Sequence, residues 1–234
     1  MKITAWIASS LLPLLSSLPA FAGTPDWEKL REEEGITTFR KEVPGSPVVA
    51  FRGEAVIEDS MARIAGVLEA VSREVEWMAD VGESYTVEVK DEADRWEYNR
   101  TKTPWPLQDR DFVIHTRISF KREPVPELLI RMNSDENPKK PVQSGVVRGD
   151  LIDSSFTLQQ LGPKRTRFLC EIHADPKGAI PKWVVNLFQK SWPYDTITGL
   201  KKQLKKPDIK ENETVLKLLA EPAPAEVKKE AASG

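Results

Sequence analysis

Residues 175–204 constrain the fold more than any other part of this chain, because they carry an extended helical pattern. Pro176 and Pro181 stand at its start, where a helix tolerates proline. Pro193 lies within the pattern and predicts a kink. Such a helix would span roughly 37 Å over about 25 residues, and it fits either a core helix or a lid over a cavity. One side of it would carry Ile180, Trp183, Val184, Leu187, Ser191, Tyr194, Ile197, Thr198 and Leu204.

The first 22 residues have the pattern of a secretory signal peptide. Lys2 precedes an apolar run, and Ala20-Phe21-Ala22 fits a small-x-small cleavage site. Pro13 and the serines of the run argue against a retained membrane span. We therefore expect cleavage near Ala22 and a periplasmic or secreted protein. The folded domain is predicted to occupy residues 23–206, and the small, polar composition of residues 207–234 predicts a flexible tail.

Charge and cysteine content narrow the class of protein. The chain has 34 basic and 36 acidic residues and a net charge of −2, which gives no support to nucleic-acid binding. Cys170 is the only cysteine, so no internal disulfide can form. A chain of this length can bury a core without one.

The hydrophobic pattern between the two ends predicts an α+β fold. It predicts a short helix at 26–34, strands at 36–43 and 48–57, a helix after Asp59 and a helical turn from Ser72. About six strands follow, separated mostly by short spacers rich in Asp, Gly and Pro, which favours antiparallel neighbours. The predicted strands are at 85–90, 95–102, 111–121, 126–134, 146–161 and 164–174. A twisted antiparallel sheet that curls leaves a concave face, and the long helix is suited to fill it.

Three segments carry motifs at a characteristic distance from one another. Arg110-Asp111-Phe112 follows Pro-rich residues at the start of a strand. DPKGAIPKW (175–183) leads into the terminal helix, and VEWMAD (75–80) is an aromatic-bearing helix end before the large sheet. Together, over residues 27–204, they resemble the START domain, the lipid-transfer family named after the steroidogenic acute regulatory protein.

The resemblance implies a helix-grip fold, in which the curved sheet wraps around the C-terminal helix and encloses an apolar tunnel for one lipid. The helix at 178–204 and the loop at 104–109 would form its entrance, with Pro193 and Gly199 as places where the helix bends. Family members bind sterols, phospholipids, ceramides or other apolar molecules, and most have no catalytic activity. The terminal helix is therefore expected to be a lid, and transient contact with a membrane surface is expected.

Glu97 is the acidic residue that the resemblance singles out. By its spacing from residues 110–112, it matches a buried position that some family members pair with an arginine inside the cavity. Thr116 stands in the place of that arginine, and Arg117 can face inward only if a bulge shifts the register. Glu97 either faces the cavity beside the Thr116 hydroxyl or is exposed on an ordinary strand. The predicted ligand-binding residues, each with core packing as its alternative, are Glu97, Ile114, Thr116, Ile118, Trp183, Leu187, Ser191 and Tyr194.

The remaining polar residues favour structural roles. Arg110 and Asp111 are expected to tie the 103–109 loop to the sheet. His115 and His173 have no neighbours at metal-ligand spacing, and Cys170 lies three residues from His173, so the two face opposite sides of a strand. We therefore expect no metal, no cofactor and no catalytic residue.

Two alternatives to a monomeric lipid carrier stay open. One is an enzyme of the polyketide cyclase type, which belongs to the wider helix-grip superfamily and would act on an apolar substrate in the same cavity. The other is an accessory module whose 207–234 tail engages a partner.

Overall fold

The computed structural model describes residues 27–221, except for the side chains of Lys182, Trp183, Leu187 and Phe188. The predicted signal peptide and residues 222–234 of the predicted tail lie outside the described residues. None of the described helices combines the length and hydrophobicity needed to cross a bilayer.

One large, mainly antiparallel sheet organises the described chain. Numbered in chain order, its strands lie side by side in the order 1-2-3-11-10-7-6-5-4. The short eighth strand pairs in parallel with the sixth. The ninth and twelfth strands pair separately. In chain order the strands are β1 (Glu28–Glu33), β2 (Ile36–Lys41), β3 (Ala50–Ile57), β4 (Val81–Asp91), β5 (Asp94–Thr101), β6 (Arg110–Lys121), β7 (Glu127–Ser134), β8 (Val147–Arg148), β9 (Asp150–Leu151), β10 (Ser154–Gly162), β11 (Arg165–Ile172) and β12 (Ala174–Asp175).

Helices cover the inner face of this sheet. They are α1 (Met61–Glu69), a 3-10 helix (Val71–Glu76), α2 (Lys182–Gln189), α3 (Trp192–Gln203) and α4 (Glu213–Ala220). Ser60 caps α1 by accepting a hydrogen bond from the Arg63 amide. The core lies between these helices and the sheet, and its fully buried side chains include Ile64, Leu158, Phe168, Ile197 and Leu200. The predicted α+β fold with an antiparallel sheet and a C-terminal helical segment is confirmed.

The predicted helix at 26–34 is wrong, because Glu28–Glu33 form the edge strand β1. This strand pairs antiparallel with β2, with Glu33 opposite Ile36. Its charged side chains are mostly exposed, as suits a sheet edge that must not pair with other chains. Pairing with β2 therefore overrides the local preference of this segment for a helix.

The predicted continuous helix at 178–204 is interrupted at Lys190 and Ser191. Pro193 stands in the first turn of α3, where it supplies no amide hydrogen to the preceding turn. The break therefore lies next to the predicted kink. Gly199, predicted as a second bend, lies inside continuous α3. A Cβ there would lie 1.9 Å from the carbonyl oxygen of Trp77, so this glycine permits close contact between α3 and the end of the 3-10 helix.

The chain remains packed beyond residue 206, which corrects the predicted start of the flexible tail. Ile209 and Val215 are buried. The Asn212 side chain caps α4 by accepting a hydrogen bond from the Val215 amide, 2.8 Å away, and the Asn212 amide donates to the Ala62 carbonyl, also at 2.8 Å. Residues 209–220 are therefore part of the folded domain, packed against α1.

Candidate ligand-binding cavity

An outer cavity opens between α2 and the loop that joins β5 to β6. Its volume is about 230 Å³. The loop contributes Pro104 and Leu107, α2 contributes Val185 and Gln189, and the strands behind them contribute Phe112 and Ile172, among others. Gln189 donates from Nε2 to the Ala174 carbonyl at 2.9 Å, whereas its buried Oε1 has no partner among the described residues. The outer cavity is therefore mainly apolar, with one open acceptor.

An inner cavity continues from the outer one toward the centre of the sheet. It has a volume of about 90 Å³. The two cavities share Thr101, Phe112, Ile172, Ala174 and Trp192 in their walls. The inner cavity is also lined by Glu74, Met78, Val81, Glu97, Asn99, Ile114, Met132, Leu151, Ser154 and Phe156.

Glu97 is buried in the inner cavity wall, 6% exposed. It forms an ion pair with Arg95 and accepts a hydrogen bond from the Thr116 hydroxyl at 2.8 Å. The Arg95 side chain is only 11% exposed. Of the two placements that the sequence allowed, the structure has Glu97 facing the cavity beside Thr116. Buried carboxylates need such partners, because each uncompensated charge carries a large desolvation penalty.

The positively charged partner of Glu97 is Arg95, on the same strand, and not an arginine of β6. The β5–β6 register runs without a shift from Asp94 opposite Arg117 to Thr101 opposite Arg110, so no bulge turns Arg117 inward, and its side chain is exposed. Arg95 and Glu97 are two apart on one strand and share a face. This two-residue spacing is visible in the sequence, but the family resemblance pointed to an arginine on the neighbouring strand instead.

Glu74 is a second acid in the inner cavity, and the sequence analysis did not predict it. Its Oε2 accepts hydrogen bonds from the Ser84 hydroxyl at 2.6 Å and from Asn99 Nδ2 at 3.2 Å. Burial, with a smaller contribution from the charge of Glu97, raises the pKa of Glu74 to about 8, against the opposing effect of these hydrogen bonds. Glu74 is therefore mainly neutral at pH 7.

The other predicted ligand-binding residues do not all meet in this cavity. Ile114 lines the inner cavity, but Ile118 lines a separate pocket under α4. Ser191 is exposed between α2 and α3. Tyr194 faces the β1–β2 turn, where its hydroxyl donates to Glu34 at 3.3 Å and Arg31 lies 3.9 Å above its ring. The backbones of Trp183 and Leu187 belong to α2, but their side chains lie outside the described part of the chain.

The break between α2 and α3 explains why the predicted helix face failed at its centre. Trp192, which the predicted stripe left out, lines both the outer and the inner cavity. A stripe calculated along one straight helix cannot follow a change of axis at Lys190 and Ser191. Phe112 was also missed, although it shares the face of Ile114 and Thr116 by simple alternation.

Arg110 ties the 103–109 loop to the sheet, as expected, whereas Asp111 binds Arg148 and not that loop. Arg110 is buried and donates to the carbonyl of Gln108 within the loop, and to Pro176 at 3.3 Å and Lys177 at 3.4 Å before α2. Asp111 is fully buried and accepts two hydrogen bonds from Arg148, at 2.8 and 3.1 Å. These contacts join both sides of the mouth to the sheet.

A distal pocket of about 490 Å³ lies at the other end of the inner face. It is covered by α1 and α4, and Arg95 separates it from Glu97 in the inner cavity wall. Its lining includes Ala65, Ile118, Phe120, Leu128, Ile130, Val215 and Leu218.

The histidines and the cysteine have structural surroundings. His115 stacks on Trp96 with ring centroids 4.3 Å apart, and His173 Nε2 lies 2.9 Å from the Ser46 hydroxyl. Burial raises the pKa of the Cys170 thiol to about 12, so the thiol is protonated at neutral pH. Among the described residues, no three His, Cys, Asp or Glu side chains are grouped so that they could hold a metal ion.

A curved antiparallel sheet, closed by C-terminal helices around a largely apolar internal cavity, defines the helix-grip class of proteins. Comparisons with known proteins agree. The model of the START domain family matches residues 16–208. An uncharacterized protein of Pseudomonas aeruginosa is 28% identical over 181 residues, which cover 77% of this chain and 88% of that protein.

The phosphatidylcholine transfer protein of Bos taurus is 28% identical over 177 residues, which cover 74% of this chain and 81% of that protein. The crystal structure of a STAR-related lipid transfer protein fragment from Xanthomonas axonopodis aligns with a TM-score of 0.68 and 25% identity, over 77% of this chain and 99% of that one. The chain belongs to the START domain family. Helix α4 lies beyond the residues that the family model matches.

Proposed function

We propose that this protein binds one apolar lipid in the joined outer and inner cavities and carries it between membrane surfaces without chemical change. The observation that supports this most directly is the apolar path that runs from the mouth at Leu107 past Phe112 and Trp192 to the centre of the sheet. The names of the bovine and Xanthomonas relatives point to the same activity.

The driving force for such binding is the removal of hydrocarbon from water. Each buried methylene contributes about 0.8 kcal/mol, so a chain of about sixteen carbons gains on the order of 13 kcal/mol before ordering costs. Exchange of such a molecule through water is slow for the same reason. A protein that shields the molecule and then opens at a membrane removes this barrier.

A whole lipid needs more space than the two cavities provide at 230 and 90 Å³, since ligand pockets typically have about 300–1,000 Å³. Helix α2 is the element whose movement would enlarge them. It has eight residues and no side-chain hydrogen bond at its N-terminal cap. Among its described side chains, Asn186 accepts a hydrogen bond from the Val49 amide, just before β3, at 3.2 Å. Outward movement of α2 would therefore open the path.

The mouth also carries a residue suited to a bilayer surface. Trp105 is 92% exposed, and it lies on the loop opposite α2, between the cavity-lining Lys102 and Leu107. Tryptophan prefers the membrane–water interface, and lysine attracts anionic headgroups. We place the membrane contact at this loop. The predicted signal peptide at residues 1–22 supports a periplasmic location for this transfer.

The decisive experiment is native mass spectrometry of the protein purified from its own cells, followed by organic extraction. The expected result is one lipid per protein molecule, recovered unchanged. Ile114→Trp places a larger side chain in the inner cavity and should abolish the bound mass. Val56→Trp, at an exposed position of β3, is the matched control and should retain it.

Two outcomes would overturn the proposal in different ways. A protein that carries no lipid from its own cells and takes none from vesicles of mixed phospholipids and neutral lipids is not a carrier. A bound molecule that is converted to a product over time, in the wild type but not in Ile114→Trp, would establish the polyketide cyclase type of activity instead.

A further inference from the structure

The inner cavity presents an oxygen atom of Glu74 that the protein itself leaves unbonded. Glu74 is 9% exposed and lines this cavity. Its Oε2 accepts both of its hydrogen bonds, from Ser84 on β4 and from Asn99 on β5. Within residues 27–221, no hydrogen bond reaches its Oε1. Oε1 is not one of the fully enclosed polar atoms that lack a partner, so it keeps accessible surface, and at the wall of a ligand cavity it is available to a ligand.

The two donors on Oε2 decide where the proton of the neutral acid sits. A protonated carboxyl group has one oxygen that carries the proton and one that acts only as an acceptor. Since Oε2 already receives two donors, the proton belongs on Oε1. Glu74 therefore differs from Glu97, whose two oxygens are bonded to Arg95 and Thr116. The inner cavity contains one acid that is satisfied and one that offers a donor.

We propose that Glu74 is a specificity-determining residue, which donates a hydrogen bond from Oε1 to an uncharged acceptor oxygen at the buried end of the ligand. This inference rests on the proposed carrier function. It favours ligands whose inner end is an ester, a ketone or an alcohol. It disfavours an anionic carboxylate or phosphate at this depth, because such a group would be desolvated close to the Glu97 carboxylate.

The proposal predicts that affinity for such a ligand falls as the pH rises through the pKa of Glu74. The charged groups that act on Glu74 are Glu97, which raises its pKa, and Arg95, which lowers it; β4 faces it with the uncharged Ser84. Below pH 8 the carboxyl group is neutral and donates. Above pH 8 it ionises, loses the donor and repels an acceptor oxygen, so affinity for such a ligand should fall.

The test uses two probes with the same number of non-hydrogen atoms, methyl tetradecanoate and heptadecane. Their affinities are measured by displacement of a fluorescent lipid from the full-length protein. The ester preference is the ratio of ester affinity to alkane affinity, divided by the same ratio in the Glu74→Met variant, which cancels the difference in transfer from water. At pH 7 it should be about three- to tenfold in the wild type, as one net hydrogen bond allows, and it should disappear by pH 9.5.

Two variants separate donation from a merely structural role. Glu74→Gln keeps an acceptor for Ser84 and Asn99 and places an amide donor toward the cavity, so it should retain the preference at both pH values. Glu74→Met removes the donor, so its ratio of ester to alkane affinity is the baseline and should be the same at pH 7 and pH 9.5. If Glu74→Met does not fold, the contrast between the wild type and Glu74→Gln across pH carries the test.

The outcomes also separate this inference from the carrier function. Binding of both probes with no ester preference in the wild type, or a preference that is equally lost with pH in Glu74→Gln, would overturn the role of Glu74 and leave the carrier function standing. Failure of the wild type to bind either probe or the fluorescent lipid would overturn both.

Discussion

Helices α2 and α3 come from one predicted helix, yet their described side chains are buried to different extents. In α3, Thr196, Ile197 and Leu200 have no exposed surface. Its backbone also approaches β3 so closely that a Cβ at Gly53 would lie 2.8 Å from Pro193 Cβ. In α2, Val185 is buried but Val184 and Asn186 are only half-buried, and the helix borders the outer cavity. This difference supports a fixed α3 and is consistent with the proposed lid role of α2.

This division refines the interpretation of the whole terminal helix as a lid. Opening α3 would expose core side chains and uncover the centre of the sheet, with a free energy near that of unfolding. Among the described side chains of α2, only Val185 is fully buried, and opening the helix would break the hydrogen bonds that Asn186 and Gln189 make to the rest of the fold. We therefore propose that α2, and not α3, gates the cavity.

The largest expected difference between the two helices is in stability. Ile197→Ala in α3 should lower the free energy of unfolding by about 2–5 kcal/mol, because it leaves a cavity in a closed core. Val184→Ala in α2 should lower the free energy of unfolding by about 1 kcal/mol or less, since that side chain is already partly exposed to water. Urea unfolding followed by circular dichroism measures both, and equal losses would contradict the division into anchor and lid.

A smaller effect is expected at the mouth, on the side of the lid. Trp105→Ala should weaken binding to vesicles that contain anionic lipid by about three- to tenfold, because an interfacial aromatic anchor is lost. Val142→Ala, at an exposed apolar position of another loop, is the control and should bind as the wild type does. Co-sedimentation with vesicles measures both variants; unchanged binding of Trp105→Ala would show that the membrane meets another surface.

The smallest effect is expected at the break itself. Pro193→Ala restores a backbone amide that can bond to the Gln189 carbonyl and join α2 to α3. Lipid exchange between vesicles should slow by about twofold, as one marginal hydrogen bond allows. Pro181→Ala makes the same change before α2 begins and should leave the rate unaltered. Faster exchange in Pro193→Ala would mean that the break restrains the lid and does not free it.

Most strands could be predicted because their side chains alternate on a half-buried sheet. The strand predicted at 111–121 corresponds to β6, Arg110–Lys121, and those at 36–43 and 48–57 to the hairpin of β2 and β3. The single strand predicted at 146–161 covers β8, β9 and all of β10 except its last residue. Alternation shows that a segment is extended, but the positions where it changes partner depend on contacts with distant strands.

The site could be predicted only where the alternation of side chains along a single strand was sufficient. Parity along β6 correctly put Ile114 and Thr116 on the inner face, and the same parity along β5 would have given Arg95 as the partner of Glu97. Glu74 could not be found in this way. Its role depends on Ser84, Asn99 and Glu97, which approach it from two strands.

The sequence by itself determined the fold class and the family, because local periodicity and the motifs at Arg110-Asp111-Phe112 and DPKGAIPKW are properties of short segments. Only the tertiary structure decided that the terminal segment divides into two helices, that Arg95 pairs with Glu97, and that Glu74 and Glu97 face one cavity. Burial, protonation and cavity shape arise when several elements exclude water from the same volume, and no single segment contains that information.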